Sequence, residues 1–248
     1  MDPSYLLVFV AAIIIGIAKT SFGGLGAISV AILAFIMPTK ESTAAVLIML
    51  LTGDVVAVLR YRSHADWMLL RALLPAVLPG LLLGALFINF VADDVLRTSI
   101  GAMLLISVLT QLVLTMIGRA NRAKDKDTSR PPRALSIGAG IAAGFTTMAA
   151  NAAGPVMALY LQLSKVNKLR FLGTAAWFYF IVNLTKTPFS AALGLFTPQV
   201  LRIGLSYIPV VLLGTVIGIW LIGHVRQRAF DIFTLLTSVI AAAALLVL

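Results

Sequence analysis

The stretch "IGIAKTSFGGLGAISVAIL" (residues 15–33) puts Lys19, Thr20 and Ser21, and then Gly23, Gly24 and Gly26, inside an apolar run that otherwise reads as a membrane helix. A charge at the bilayer centre costs about 2.5–3.5 kcal/mol on insertion scales. A glycine in a helix interior costs about 1 kcal/mol. Both penalties at one place predict a helix break that serves a purpose. The purpose expected is one half of an anion site, with the other half near residue 151.

Composition sets the frame. Of 248 residues, 60% are hydrophobic and 11% charged, a balance that belongs to an integral membrane protein rather than a soluble domain. Membrane strands would alternate in polarity over about ten residues. The long unalternating runs of Leu, Ile, Val and Ala predict helices instead, and hence an all-α polytopic membrane protein. The chain has no cysteine, which excludes a disulfide framework and a thiolate metal site. Its net charge of +10 sits in short loops without aromatic interleaving, which points to a topology signal and not to nucleic acid. The opening "MDPSYLLVFV" lacks the basic region of a signal peptide and is expected to be retained.

Eight apolar segments follow one another at 5–37, 42–59, 67–90, 95–117, 134–163, 171–194, 200–223 and 231–248. The hydrophilic stretch "GRANRAKDKDTSRPPR" (118–133) separates them into a first repeat, 1–117, and a second, 134–248. Each half has one overlong, small-residue segment and then three of ordinary span length. A shift of 128 places Gly16 over Gly144 and Gly26 over Gly154, and a shift of 130 places "PGLLLG" (79–84) over "PVVLLG" (209–214).

As one straight helix, 5–37 would run about 50 Å, against a hydrocarbon core of about 30 Å. A re-entrant hairpin that leaves on its side of entry resolves the excess. Loop charges favour it. If both overlong segments return, Arg60, Arg62, the six basic residues of 118–133, Lys165, Lys168, Arg170, Arg226 and Arg228 all fall in the cytoplasm. Lys40, Arg97, Asp93 and Asp94 stay outside, as the positive-inside rule asks. Three crossings per half then make the halves inverted repeats, with both termini outside.

Few ionisable residues lie at membrane depth: Lys19, Asp54 and Lys186, with Arg71 and Arg202 read as snorkelling anchors near span ends. Lys186 lies in "NLTKTPFS" (183–190) with Asn183 nearby, and Pro188 frees a carbonyl one turn back. The second break, "TTMAANAAGPV" (146–156), offers Thr147, Asn151, Gly154 and Pro155. Small residues there let the backbone approach a ligand, and half-helix N-termini favour anions. The expected substrate-binding set is therefore Lys19, Thr20, Ser21, Gly23, Gly24, Gly26, Thr147, Asn151, Gly154, Pro155, Asn183 and Lys186. Two structural alternatives stay open: Lys19 neutralising Asp54, and Lys186 reaching carbonyls freed by Pro188. Asp54 itself is expected to be a structural or coupling group, since it repels an anion. The repeated small-residue motifs "GIAAG" (140–144), "GLLLG" (80–84) and "GTVIG" (214–218) are read as helix packing. No cofactor and no metal are expected, and no acid pair or nucleophile–base set suggests an enzyme.

The span Gly16–Gly26, the Asn151–Gly154–Pro155 stretch, the two-half layout and the basic central loop resemble the TauE/SafE family of membrane permeases over essentially the whole chain. Leu25 interrupts the most glycine-rich form of the first motif. The resemblance implies a transporter for sulfite, sulfonates or related anions in the bacterial cytoplasmic membrane. The partners expected are a small anionic substrate and the lipid bilayer, with a homo-oligomer left open. Two other classes stay in view: a membrane enzyme on a lipid-linked substrate, and a non-transporting assembly subunit.

Overall fold

A computed structural model describes residues 3–21, 26–96, 98–99, 102 and 131–224. Most of the 95–117 segment, most of the 118–133 linker and the 231–248 segment lie outside the described residues, as do Gly23 and Gly24. What is described is almost entirely helical: α1 (Pro3–Thr20), α2 (Gly26–Ile36), α3 (Thr39–Tyr61), α4 (Trp67–Phe90), α5 (Arg133–Ala150), α6 (Ala153–Leu163), α7 (Lys168–Ala192), α8 (Pro198–Ser206) and α9 (Ile208–His224).

Local chemistry marks the boundaries. Asp66 caps α4 by accepting from the Met68 and Leu69 amides, and Asn167 caps α7 by accepting from Arg170. Thr197 does the same for α8, with Pro198 in the first turn. Asp93, at the start of the helical stretch 93–96 that follows α4, accepts from the Thr39 amide at 2.5 Å and the Lys40 amide at 3.2 Å. That carboxylate therefore closes the N-terminus of α3, where the helix dipole favours it. Between α5 and α6, Asn151 takes the left-handed conformation (φ 51°, ψ 28°), which turns the chain without a glycine.

The overlong first segment is two helices, α1 and α2, packed on one another, with the Ser29 hydroxyl donating to the Ala11 carbonyl. The 134–163 segment is likewise two helices, α5 and α6. The 200–223 segment, expected as one helix, is bent by 41° between α8 and α9. Pro209 lies just beyond the bend and lacks the N–H that a continuous helix would use there.

Among the described residues, two helices, Thr39–His64 (α3 with the following turn) and Trp67–Phe90, are long and apolar enough to cross a membrane, and the bent α8–α9 pair makes a third if it forms one span. The burial pattern fits that solvent. Leu78, Leu82, Leu83, Leu86 and Phe90 on α4 and Leu212, Leu213, Val216, Ile217 and Trp220 on α9 are exposed, while Asp54 and Lys186 are 0% and 1% exposed. Large apolar residues outside with charges inside is the arrangement that lipid requires. Arg71 and Arg202 are exposed, as anchoring residues would be.

An all-apolar helix does not reveal its packing face by hydrophobicity; small residues do. On α4, Gly80 and Gly84 lie against Gly144, Phe145 and Met148 of α5. On α9, Gly214 and Gly218 lie against Gly16, Ile17 and Thr20 of α1. A Cβ on Gly80 would stand 2.9 Å from the Phe145 amide nitrogen, and one on Gly218 would stand 2.9 Å from the Ile17 carbonyl. The motifs 80–84 and 214–218 thus bring backbones together, as small-x-x-x-small pairs do in membranes. Helices α3 and α7 pack on each other between these two pairs.

Candidate functional site

Lys19 occupies the last turn of α1, where unpaired carbonyls favour a cation. Its ammonium lies 2.6 Å from Asp54 Oδ1, and the two side chains are 8% and 0% exposed. Gly53 makes this approach possible, because a Cβ there would stand 2.8 Å from Lys19 Cγ. Asn183 Nδ2 donates to the other carboxylate oxygen of Asp54 at 2.6 Å, so α1, α3 and α7 meet on one carboxylate. The face of Tyr179 receives the ammonium at 4.5 Å from the ring centroid, a cation–π contact.

Lys186 is compensated differently. Its ammonium donates to the Thr147 carbonyl at 2.9 Å, to the Thr147 hydroxyl at 3.3 Å, and to Asn151 Oδ1. Asn151 in turn donates from Nδ2 to the Thr43 carbonyl at 3.0 Å, tying the α5–α6 break to α3. Lys186 therefore bonds to the second break and not to the carbonyl that Pro188 frees on its own helix. All of its hydrogen-bond partners are neutral oxygens.

Between these two clusters lies a cavity of ≈ 40 Å³ lined by Ala18, Lys19, Gly26, Leu50, Thr147, Asn151, Ala152, Ala153, Gly154, Tyr179 and Asn183. On that measure a water takes about 10–15 Å³, so the space suits roughly three waters or one small anion. The N-terminal ends of α2 and α6 both border it, and the first amides of a helix have no intrahelical acceptor.

Of the residues expected to bind substrate, Lys19, Gly26, Thr147, Asn151, Gly154 and Asn183 line this cavity, and Lys186 holds Thr147 and Asn151 from behind. Thr20 and Ser21 do not line it. The Thr20 hydroxyl donates to the Gly16 and Thr215 carbonyls at 3.1 and 3.0 Å, and that of Ser21 donates to Ile17 at 2.6 Å. Either hydroxyl would reach an anion only by leaving these carbonyls. The Thr20 carbonyl accepts from the Tyr61 hydroxyl at 2.9 Å, which fixes the end of α1 against α3. Pro155 lies in the first turn of α6.

Sequence reasoning missed Tyr179, Gly53 and Tyr61. A signal for Tyr179 existed: residues 179, 183 and 186 follow the i, i+4, i+7 spacing that sets them on one face of a helix. Gly53 precedes the buried Asp54 in sequence, and nothing local announces that it must admit a lysine from another helix. Among the described residues there is no group of three or more His, Cys, Asp or Glu that could hold a metal ion.

Comparison with known families matches residues 8–245, most of the chain, to Sulfite exporter TauE/SafE. No curated protein and no solved structure matches. The family match supplies what the geometry leaves general, since a buried, cation-lined cavity among apolar helices suits any small anion. The chain belongs to the sulfite exporter TauE/SafE family, and is a secondary transporter of a sulfur oxyanion in the bacterial inner membrane, not an enzyme.

Proposed function

We propose that the chain carries a small sulfur oxyanion, sulfite or a sulfonate, by alternating access around the cavity between the two helix breaks. One observation carries this: Lys19 lines a small cavity from one half of the chain, and Thr147 and Asn151, which Lys186 holds from behind, line it from the other. In the proposed site Lys19 and Lys186 supply charge. Thr147, Asn151 and Asn183 supply hydrogen bonds, and Gly26 and Gly154 let backbone amides approach the ligand. Asp54 holds Lys19 or carries a coupling proton. Thr20 and Ser21 join only in a conformation that frees their hydroxyls.

In the same proposal the fold is a pair of inverted repeats, 1–117 and 134–248, each a re-entrant hairpin and three transmembrane helices. The linker 118–133 is cytoplasmic and both termini lie outside. Exchangeable contacts support it. The α1–α9 packing through Gly16 and Gly214 corresponds to the α5–α4 packing through Gly144 and Gly80. Helix α3 packed against α7 exchanges into itself.

Uptake of labelled sulfite into proteoliposomes tests the transport reading: flux above empty vesicles is expected, and no flux of sulfite or any sulfonate would remove it. Topology is tested separately in the cysteine-free chain. Single cysteines at Thr39, Ala92 and Gln199 should react with an impermeant reagent from outside, and those at Ser63, Ser129 and Asn167 should not. Labelling at Asn167 with Ser129 protected would mean that 134–163 crosses once, and the repeats would not be inverted.

A further inference from the structure

The two buried lysines differ in what neutralises them. Lys19 has a carboxylate at 2.6 Å, and that carboxylate is completed by Asn183. Lys186 contacts only the carbonyl and hydroxyl of Thr147 and the amide oxygen of Asn151, which bear no formal charge. We infer that the site selects by charge: Asp54 cancels Lys19, the cluster keeps a single formal positive charge on Lys186, and the carried species is a monoanionic sulfo group, hydrogen sulfite or a sulfonate, and not a dianion. This rests on the cavity between the helix breaks being the substrate site.

Other groups around Asp54 leave the count unchanged. Among the described residues, the ionisable groups facing it are Lys19 from α1 and Lys186 and Tyr179 from α7. From α9 the neutral Thr215 lies beside Gly53, α2 carries no ionisable residue, and Arg202 of α8 is exposed. A bound monoanion leaves the cavity neutral. A dianion would leave an uncompensated charge in low dielectric, where such a charge is most costly.

Methanesulfonate and sulfate are nearly isosteric tetrahedral anions that differ in charge, so their comparison separates charge from size. Equilibrium binding to the purified, full-length protein should favour methanesulfonate over sulfate by at least tenfold. Affinity for total sulfite should fall more steeply with rising pH than affinity for methanesulfonate, because sulfite replaces hydrogen sulfite while methanesulfonate keeps its single charge. In Asp54→Asn, sulfate takes over the counter-charge that the carboxylate supplied, and the preference should narrow or reverse. In Lys19→Gln/Asp54→Asn the charge count is restored, and the preference for methanesulfonate should return. Equal affinity for the two anions in the parent, or sulfite affinity that strengthens as pH rises, would overturn the charge rule even if Asp54→Asn does not fold. Should neither anion compete with sulfite, and Thr147→Val leave sulfite binding intact, it is the proposed site that fails and not the charge rule alone.

Discussion

The two helix breaks do equivalent work with opposite chemistry. At the first, the cation is on the helix before the break (Lys19 of α1) and the counter-group is a carboxylate on α3 (Asp54). At the second, the break offers neutral oxygens (Thr147, Asn151) and the cation is on α7 (Lys186). A buried ion pair and a buried cation solvated by neutral oxygens both satisfy geometry, yet only the second leaves charge for a ligand. In the proposed site, the first break is held by its own ion pair and the second supplies the charge offered to the anion. Inspecting either lysine alone would not have shown this.

The comparison breaks most readily at Asp54. Removing one partner of a buried pair leaves an uncompensated charge, typically at a cost of about 3–5 kcal/mol. Asp54→Asn is therefore expected to lower the melting temperature strongly in detergent. Lys19→Gln/Asp54→Asn, which removes both charges, should recover most of the loss. If Asp54→Asn melts with the parent, the pair is not what holds α1 to α3.

A smaller effect is expected at Lys186, this time in binding. One charge-assisted hydrogen bond is worth about 1.5–3 kcal/mol, so Lys186→Gln should weaken sulfite binding roughly 10- to 150-fold. Lys19→Gln should cost less, because Asp54 already offsets that charge, and the double variant should be non-additive if both act on one bound anion. Equal losses in the two single variants, measured on protein of matched stability, would erase the distinction between the tips.

Smallest is the effect at Gly53. A methyl group there meets Lys19 Cβ at 3.0 Å as well as Cγ, so Gly53→Ala should cost about 1 kcal/mol through overcrowding. The cost should disappear in a Lys19→Ala background, read as a double-mutant cycle of thermal stability. Persistence of the full cost there would mean that Gly53 serves another contact, the nearest being Thr215.

Much of this was legible without coordinates because the bilayer is a demanding solvent. Apolar runs had to be helices, a charge at depth had to be compensated, and a segment too long for one crossing had to be interrupted. The interruptions in both overlong segments follow from the same local facts: glycines after Lys19, and small residues around Asn151. The Gly80–Gly84 and Gly214–Gly218 motifs were readable as packing, though not which helix each would meet. The bend between α8 and α9 was missed, although Pro209 is visible in the sequence, because apolar runs look continuous through a proline.

By itself, the sequence determined that this is a helical membrane protein, where its overlong segments break, and which few ionisable side chains enter the membrane. These depend on composition and on neighbours along the chain, where transfer and propensity energies act. Only the tertiary structure decided that Lys19 is spent on Asp54, that Lys186 reaches across to Thr147 and Asn151, and that the Thr20 hydroxyl is held by Thr215. Those outcomes depend on which helices pack together and in what rotation. On an almost uniformly apolar helix, that choice is made by close backbone contact at a few glycines and by hydrogen bonds between residues far apart in the chain.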